Sequence, residues 1–133
     1  MPTQTAAQRR AREREAYNAF LAECPSRQLL DRLTDKWTTL LLVALAESPQ
    51  RYSELARTVA GVSQKMLTQT LRNLERDGLI TRHLTPSVPV RVDYELTDLG
   101  RSLMPVVRAV KDWAEVHMTD VRAARERFDQ LAG

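Results

Sequence analysis

A single cysteine, Cys24, is all the thiol chemistry available to this chain of 133 residues. It cannot close an internal disulfide, which fits a reducing compartment and leads us to expect a cytoplasmic protein. Long apolar runs are also missing. The longest, Leu40 to Ala46, falls far short of the roughly 20 residues that cross a bilayer, so no membrane association is expected. The opening MPTQTAAQRRARERE carries arginines with no apolar stretch behind them, and a secretory leader is therefore not expected. There is no Gly-rich phosphate loop, no internal repeat and no low-complexity segment. His83 and His117 lie far apart without Cys or carboxylate companions at ligand spacing, which argues against a metal. Neither a nucleophile–base pair nor a catalytic carboxylate pair stands out. The expectation is a protein with no metal, no cofactor and no enzymatic activity.

What is present is the composition of one globular domain. Hydrophobic residues make up 43% and charged residues 28% of the chain, enough for a real core. Twenty Lys and Arg against seventeen Asp and Glu leave a net charge of +3. That surplus is compatible with a polyanionic partner without demanding one.

The periodicity predicts mostly helices. Thr5 to Glu23 reads as a first helix, with Tyr17, Phe20 and Leu21 among its inner positions. Cys24-Pro25 interrupts it. Ser26 is the expected cap of a short helix bearing Leu29, Leu30 and Leu33, and Asp35 that of a nearly all-apolar helix from Lys36 to about Ala46. Ser53 is expected to cap another short helix ending near Val59. A tight turn at Ala60-Gly61-Val62 then leads into a helix from Ser63 to about Asp77. Beyond Gly78 the period becomes two, predicting a two-stranded hairpin, Ile80 to Leu84 and Val92 to Leu96, around the proline-stiffened tip TPSVPV. Thr97 should cap a long last helix, kinked or first firmly turned at Pro105. Its apolar stripe runs through Val110, Trp113, Phe128 and Leu131.

The helix from Ser63 carries the informative face. Leu67, Leu71 and Leu74 fall within about 60° of one another on a wheel and form its buried stripe. Lys65, Thr68, Gln69, Arg72 and Arg76 lie opposite, with Gln64 at the N-terminal edge. No acidic residue occurs from Ser63 to Asn73, whereas an ordinary solvated face would carry Glu–Lys pairs. A short helix, a Gly turn and this second helix read as a helix-turn-helix, whose second helix enters the major groove. Gln can pair with adenine, Lys or Arg with guanine, and a Thr methyl can touch thymine. Arg82 and Arg91, at opposite ends of the stiff tip, make the hairpin a basic wing able to press on phosphates or the minor groove.

These segments together resemble the HxlR-type winged helix-turn-helix transcriptional regulators of bacteria, a MarR-like winged helix. The matching stretches are CP at 24–25, DKWTTLLLVAL at 35–45, RYSEL at 51–55, GVSQKMLTQTLRNLERDGLITR at 61–82 and VRVDYELTDLGRSL at 90–103. The resemblance covers Cys24 to about Trp113, and the chain beyond about Val116 lies outside it. In the wing, Thr85 stands where the family usually has Tyr, and Val90 where it has a second consecutive Pro. The resemblance implies Ser63, Gln64, Lys65, Thr68, Gln69 and Arg72 as recognition-helix contacts and Arg51 as a phosphate contact. Some relatives switch through a cysteine at this position, so the resemblance also implies Cys24 as a candidate redox sensor, with Arg27 and Arg32 close in sequence.

The expected organisation is mainly α with a small β-hairpin. An N-terminal dimerisation helix spans 1–23, a winged helix-turn-helix DNA-binding domain 24–97 and a C-terminal dimerisation helix 98–133. One recognition helix reads too few base pairs to be selective in a genome. A homodimer is therefore expected, paired through Tyr17, Phe20, Leu21, Val110, Trp113, Phe128 and Leu131, on a pseudo-palindromic operator of double-stranded DNA. Repression is favoured over activation, and an oxidant or small electrophile is the candidate effector. The competing reading is a winged-helix scaffold that binds other proteins and no DNA.

Overall fold

The computed structural model describes residues 3–133; Met1 and Pro2, part of the expected N-terminal segment, lie outside the described residues. The chain folds as α1 (Ala6–Glu23), α2 (Pro25–Leu33), α3 (Lys36–Glu47), β1 (Gln50–Arg51), α4 (Tyr52–Thr58), α5 (Gln64–Arg76), β2 (Ile80–Thr85), β3 (Arg91–Leu96) and α6 (Asp98–Ala132). It is the helical fold with a small sheet that the periodicity predicts.

Local chemistry sets most of the boundaries. Thr5 and Gln8 exchange side-chain and backbone hydrogen bonds in a capping box at the start of α1. The Asp35 carboxylate accepts from the Trp37 N–H, the Ser63 hydroxyl from Met66 and the Thr97 hydroxyl from Gly100. Gly61 (φ +100°) makes the turn between α4 and α5, and Gly78 (φ +75°) ends α5; both sit in the left-handed region that side chains avoid.

Three expectations need correction. Ser26 does not cap α2: the helix starts at Pro25, whose fixed φ and missing N–H suit the first helical position, and Cys24 is the capping residue without a side-chain bond. Ser53 does not cap α4, because Arg51 is still paired as a strand and the chain turns helical directly after it. The sheet is three-stranded rather than a bare hairpin. Its order is β1-β3-β2, with Gln50 opposite Tyr94 and Arg51 opposite Asp93 on one edge of β3, and Ile80 opposite Leu96 through Thr85 opposite Arg91 on the other.

The core lies where α3, α4 and α5 meet the sheet and the first turns of α6. Leu41, Leu42 and Leu45 of α3 pack with Leu55, Val59, Leu67, Leu71, Leu74, Ile80, Leu96, Met104 and Val107, all buried. Burying each Leu side chain contributes about 1.5–3 kcal/mol before chain entropy is counted. The stripe of α5 is thus spent on holding the helix in place. Leu40, on the far side of α3, remains exposed.

The two terminal helices are different. None of the described residues of α1 is buried, and in α6 none is buried beyond Val107. The long helix runs on through Pro105 and at 1.5 Å per residue is about 50 Å long. No helix among the described residues is long and apolar enough to cross a membrane.

Candidate nucleic-acid interface

The buried leucines of α5 fix which side of it meets solvent. Ser63, Gln64, Lys65, Gln69, Arg72 and Arg76 are all exposed, and Thr68 is half-buried. Among the described residues, Lys65, Arg72 and Arg76 enter no ion pair within the chain, and neither does Arg51. The first turn of α5 contains no carboxylate. Ser63 satisfies one N–H of that turn, and the others point out of the helix end, where an anion is favoured. The result is a protruding helix end with positive and amide groups and nothing acidic among them.

Two contacts hold this end in position. The Tyr52 hydroxyl of α4 donates to the Gln64 carbonyl and lies 3.3 Å from the Thr68 hydroxyl, so α4 grips α5 across the turn. Tyr52 is therefore a positioning residue, half-buried against the core. With its hydroxyl engaged, what Thr68 has to offer a base is its methyl. Gln69 donates one amide hydrogen to the Asn73 side chain at 3.1 Å. One N–H and the carbonyl remain, enough for a bidentate pair with adenine.

The wing is less basic than its sequence suggests. Arg82 pairs with Glu75 of α5 at 3.6 Å, and Arg91 with Asp93 of its own strand at 2.9 Å. The Arg91 guanidinium is held above its ordinary range by its hydrogen bond to Asp93, against the lowering effect of desolvation. Burial pushes the Tyr94 phenol up, against the lowering field of Arg82. Both arginines stay exposed, each with a carboxylate partner. Arg51, at the end of β1, and Arg91 line a groove of about 550 Å³ between the start of α4 and the wing. The strand β1 brings these two arginines together. Lys36, at the start of α3, has its ammonium 4.8 Å from the centre of the Trp37 ring.

Cys24 is half-buried at the junction of α1 and α2. Its neighbours in sequence have carboxylate partners: Arg27 lies 3.7 Å from Asp31, and Arg32 makes a two-pronged pair with Asp77, the C-cap of α5. The residues assigned to dimerisation sit on the open faces of α1 and α6. Tyr17, Phe20, Val110, Trp113, Phe128 and Leu131 are each more than half exposed in the single chain, and Leu21 is half-buried. A hollow of about 280 Å³ between α3 and α6 has Val43, Ala46 and Met104 on its floor and Glu47, Arg108, Lys111 and Asp112 around it. Among the described residues no cluster of His, Cys, Asp or Glu could hold a metal ion.

Comparison with known proteins places this geometry. A family model described as HxlR-like helix-turn-helix matches residues 32–122. The match runs past Val116, where the sequence resemblance was expected to stop. The uncharacterized HTH-type transcriptional regulator YtfH of Escherichia coli (strain K12) is 45% identical over 109 residues, covering 82% of this chain and 86% of that protein. The uncharacterized HTH-type transcriptional regulator YdeP of Bacillus subtilis (strain 168) is 39% identical over 111 residues, 81% of this chain and 87% of that one. Among solved structures, the redox regulator HypR in its reduced form superposes with a TM-score of 0.72 at 34% identity, covering 75% of this chain and 99% of that one. The reduced form of the transcriptional regulator YodB from B. subtilis gives a TM-score of 0.62 at 33% identity, covering 69% of this chain and 91% of that one.

Proposed function

This chain belongs to the HxlR-like helix-turn-helix family and is a transcriptional regulator of helix-turn-helix type, and on that premise we propose that it acts as a homodimeric, sequence-specific repressor in the cytoplasm. One observation carries the reading: the solvent side of α5 from Ser63 to Arg72 presents amides and unpaired cations and no carboxylate. The relatives are named as HTH-type transcriptional regulators. A scaffold with no DNA to bind would have no use for excluding acids from that face.

In this reading Gln64, Lys65, Thr68, Gln69 and Arg72 face base edges, while Ser63, Arg51, Arg82 and Arg91 hold the phosphates on either side. The unburied faces of α1 and α6 pair with those of a second copy. Two-fold pairing sets two recognition helices about one helical turn, roughly 34–36 Å, apart on a pseudo-palindromic site. Occupying such a site over a promoter blocks access to it.

The test is retention on duplex DNA across a salt series, with Lys65→Glu as the comparison. Wild type should bind with a steep salt dependence, and the variant should bind weakly at every salt concentration. Indistinguishable retention of the two would remove α5 from the interface.

HypR is named a redox regulator, and in this chain the one thiol, Cys24, is the candidate sensor. With one thiol per chain, oxidation would produce an intersubunit disulfide or a small-thiol adduct. At the α1–α2 junction either product would disturb the helix that Arg32 ties to the end of α5. Oxidant should then weaken operator binding in wild type and leave Cys24→Ser unaffected. An equal loss in both proteins would exclude the thiol.

A further inference from the structure

The tip of the wing, Thr85 to Val90, contains no charged side chain. The wing's arginines lie on its strands, and carboxylates answer them: Glu75 for Arg82 and Asp93 for Arg91. A tip made to press on phosphates would carry Lys or Arg foremost. Here the most exposed large apolar residue is Val88, at 103%, with Leu84 and Val90 each 58% exposed.

This apolar point is held in shape. The Ser87 N–H donates to the Thr85 carbonyl at 2.8 Å, and its hydroxyl donates to the Pro89 carbonyl at 2.8 Å. Pro86 and Pro89 restrict the backbone on either side and have no N–H to keep hydrated. An isolated exposed valine on a loose loop would need no explanation. A valine carried on a braced point that itself walls, with Pro89 and Val90, the groove holding Arg51 and Arg91 is a different object. A phosphate strand seated in that groove would bring the tip against the neighbouring minor groove.

We propose that Val88 is an apolar wedge that enters the minor groove flanking each half-site and partly unstacks one base step, kinking the duplex. The proposal rests on the DNA-binding reading and adds a source of specificity to it. Apolar side chains inserted from the minor groove open base steps and bend DNA towards the major groove. Pyrimidine–purine steps yield most easily. The protein should therefore prefer TA or CA at a position that no hydrogen-bonding side chain reads.

The experiment uses the full-length protein and its best duplex from site selection, labelled at both ends with a fluorescence donor and acceptor. Wild type should bring the ends closer. Val88→Ser should lose most of that bend and bind about tenfold more weakly when a TA step lies under the wing, because most of a buried valine's transfer energy is gone. Its salt dependence should match wild type, and Val88→Leu should keep the bend. Wild type that binds DNA but leaves it straight overturns the wedge alone. So does Val88→Ser that bends as wild type does, or Val88→Lys that binds more tightly with a salt slope steeper by about one, which would put the tip on phosphates. Wild type that binds no duplex overturns the DNA-binding reading itself.

Discussion

Gly100→Ala should destabilise the protein although it places a better helix former inside a helix. Gly100 is buried in the first turn of α6, and a Cβ there would collide with the Leu79 carbonyl oxygen. The same Cβ would lie 3.1 Å from the Leu96 Cδ2 and 3.2 Å from the Leu79 carbonyl carbon. Leu79 cannot easily yield. Its carbonyl accepts from the Thr97 N–H at 3.1 Å, and its own N–H donates to Leu74 at 3.0 Å, so moving it strains the end of α5 as well. Alanine gains about 1 kcal/mol of helix propensity over glycine. Overpacking against fixed backbone costs about 1–3 kcal/mol, and losing the Thr97 hydrogen bond about 1 more. Overpacking wins, and the net loss is about 1–3 kcal/mol. In a chain of this length that lowers Tm by roughly 3–12 °C. Urea unfolding at fixed protein concentration should show a lower midpoint with an unchanged slope. Ser102→Ala, on the exposed side of the same helix, should be close to neutral. A Gly100→Ala protein as stable as wild type or more so would refute the reasoning, for it would mean that propensity rules at this site. The contact also fixes the root of α6 against Leu96 of β3 and the end of α5.

Gln69→Ala should relax preference at one base position, whereas Arg51→Ala should weaken binding to all sequences alike and flatten the salt slope by about one, both read by titrating a panel of single-base variants of the site. Arg32→Ala removes the tie between α2 and the end of α5; because both partners are about a third exposed, the loss should be about 0.5–1 kcal/mol and should shrink in high salt. A double-mutant cycle with Asp77→Ala that gave no coupling would show the pair to be incidental. Tyr94 has its phenol raised in the folded protein by burial, so its contribution is fully present below the unfolded value near 10 and is lost as pH rises through the folded one. Tyr94→Phe should therefore unfold less steeply with alkaline pH than wild type.

The helices were legible because their signals are local. Asp35, Ser63 and Thr97 bind N–H groups two or three residues ahead, and the leucine stripe of α5 follows from spacing alone. The features that escaped depend on residues distant in the chain. Gln50 and Arg51 are a strand only because β3 offers them an edge, and two residues carry no periodicity to read. Their pairing also shifted the start of α4 away from Ser53. Arg82 meets Glu75 through the packing of β2 on α5; Arg91 and Asp93 share a face by strand alternation, a pairing the sequence could have suggested. Tyr52 reads as a packed ring, and its grip on Gln64 and Thr68 needs the angle between two helices. Gly100 reads as an indifferent helical residue until Leu79, twenty-one positions earlier, is folded against it.

Selection of bound sites from random duplex DNA by the purified protein tests the whole account most directly. The expected outcome is a two-fold pseudo-palindrome with half-sites about 10 base pairs apart, whose identity changes at one position per half-site in the Gln69→Ala protein. Recovery of no sequence in preference to any other, even at low ionic strength, would contradict it.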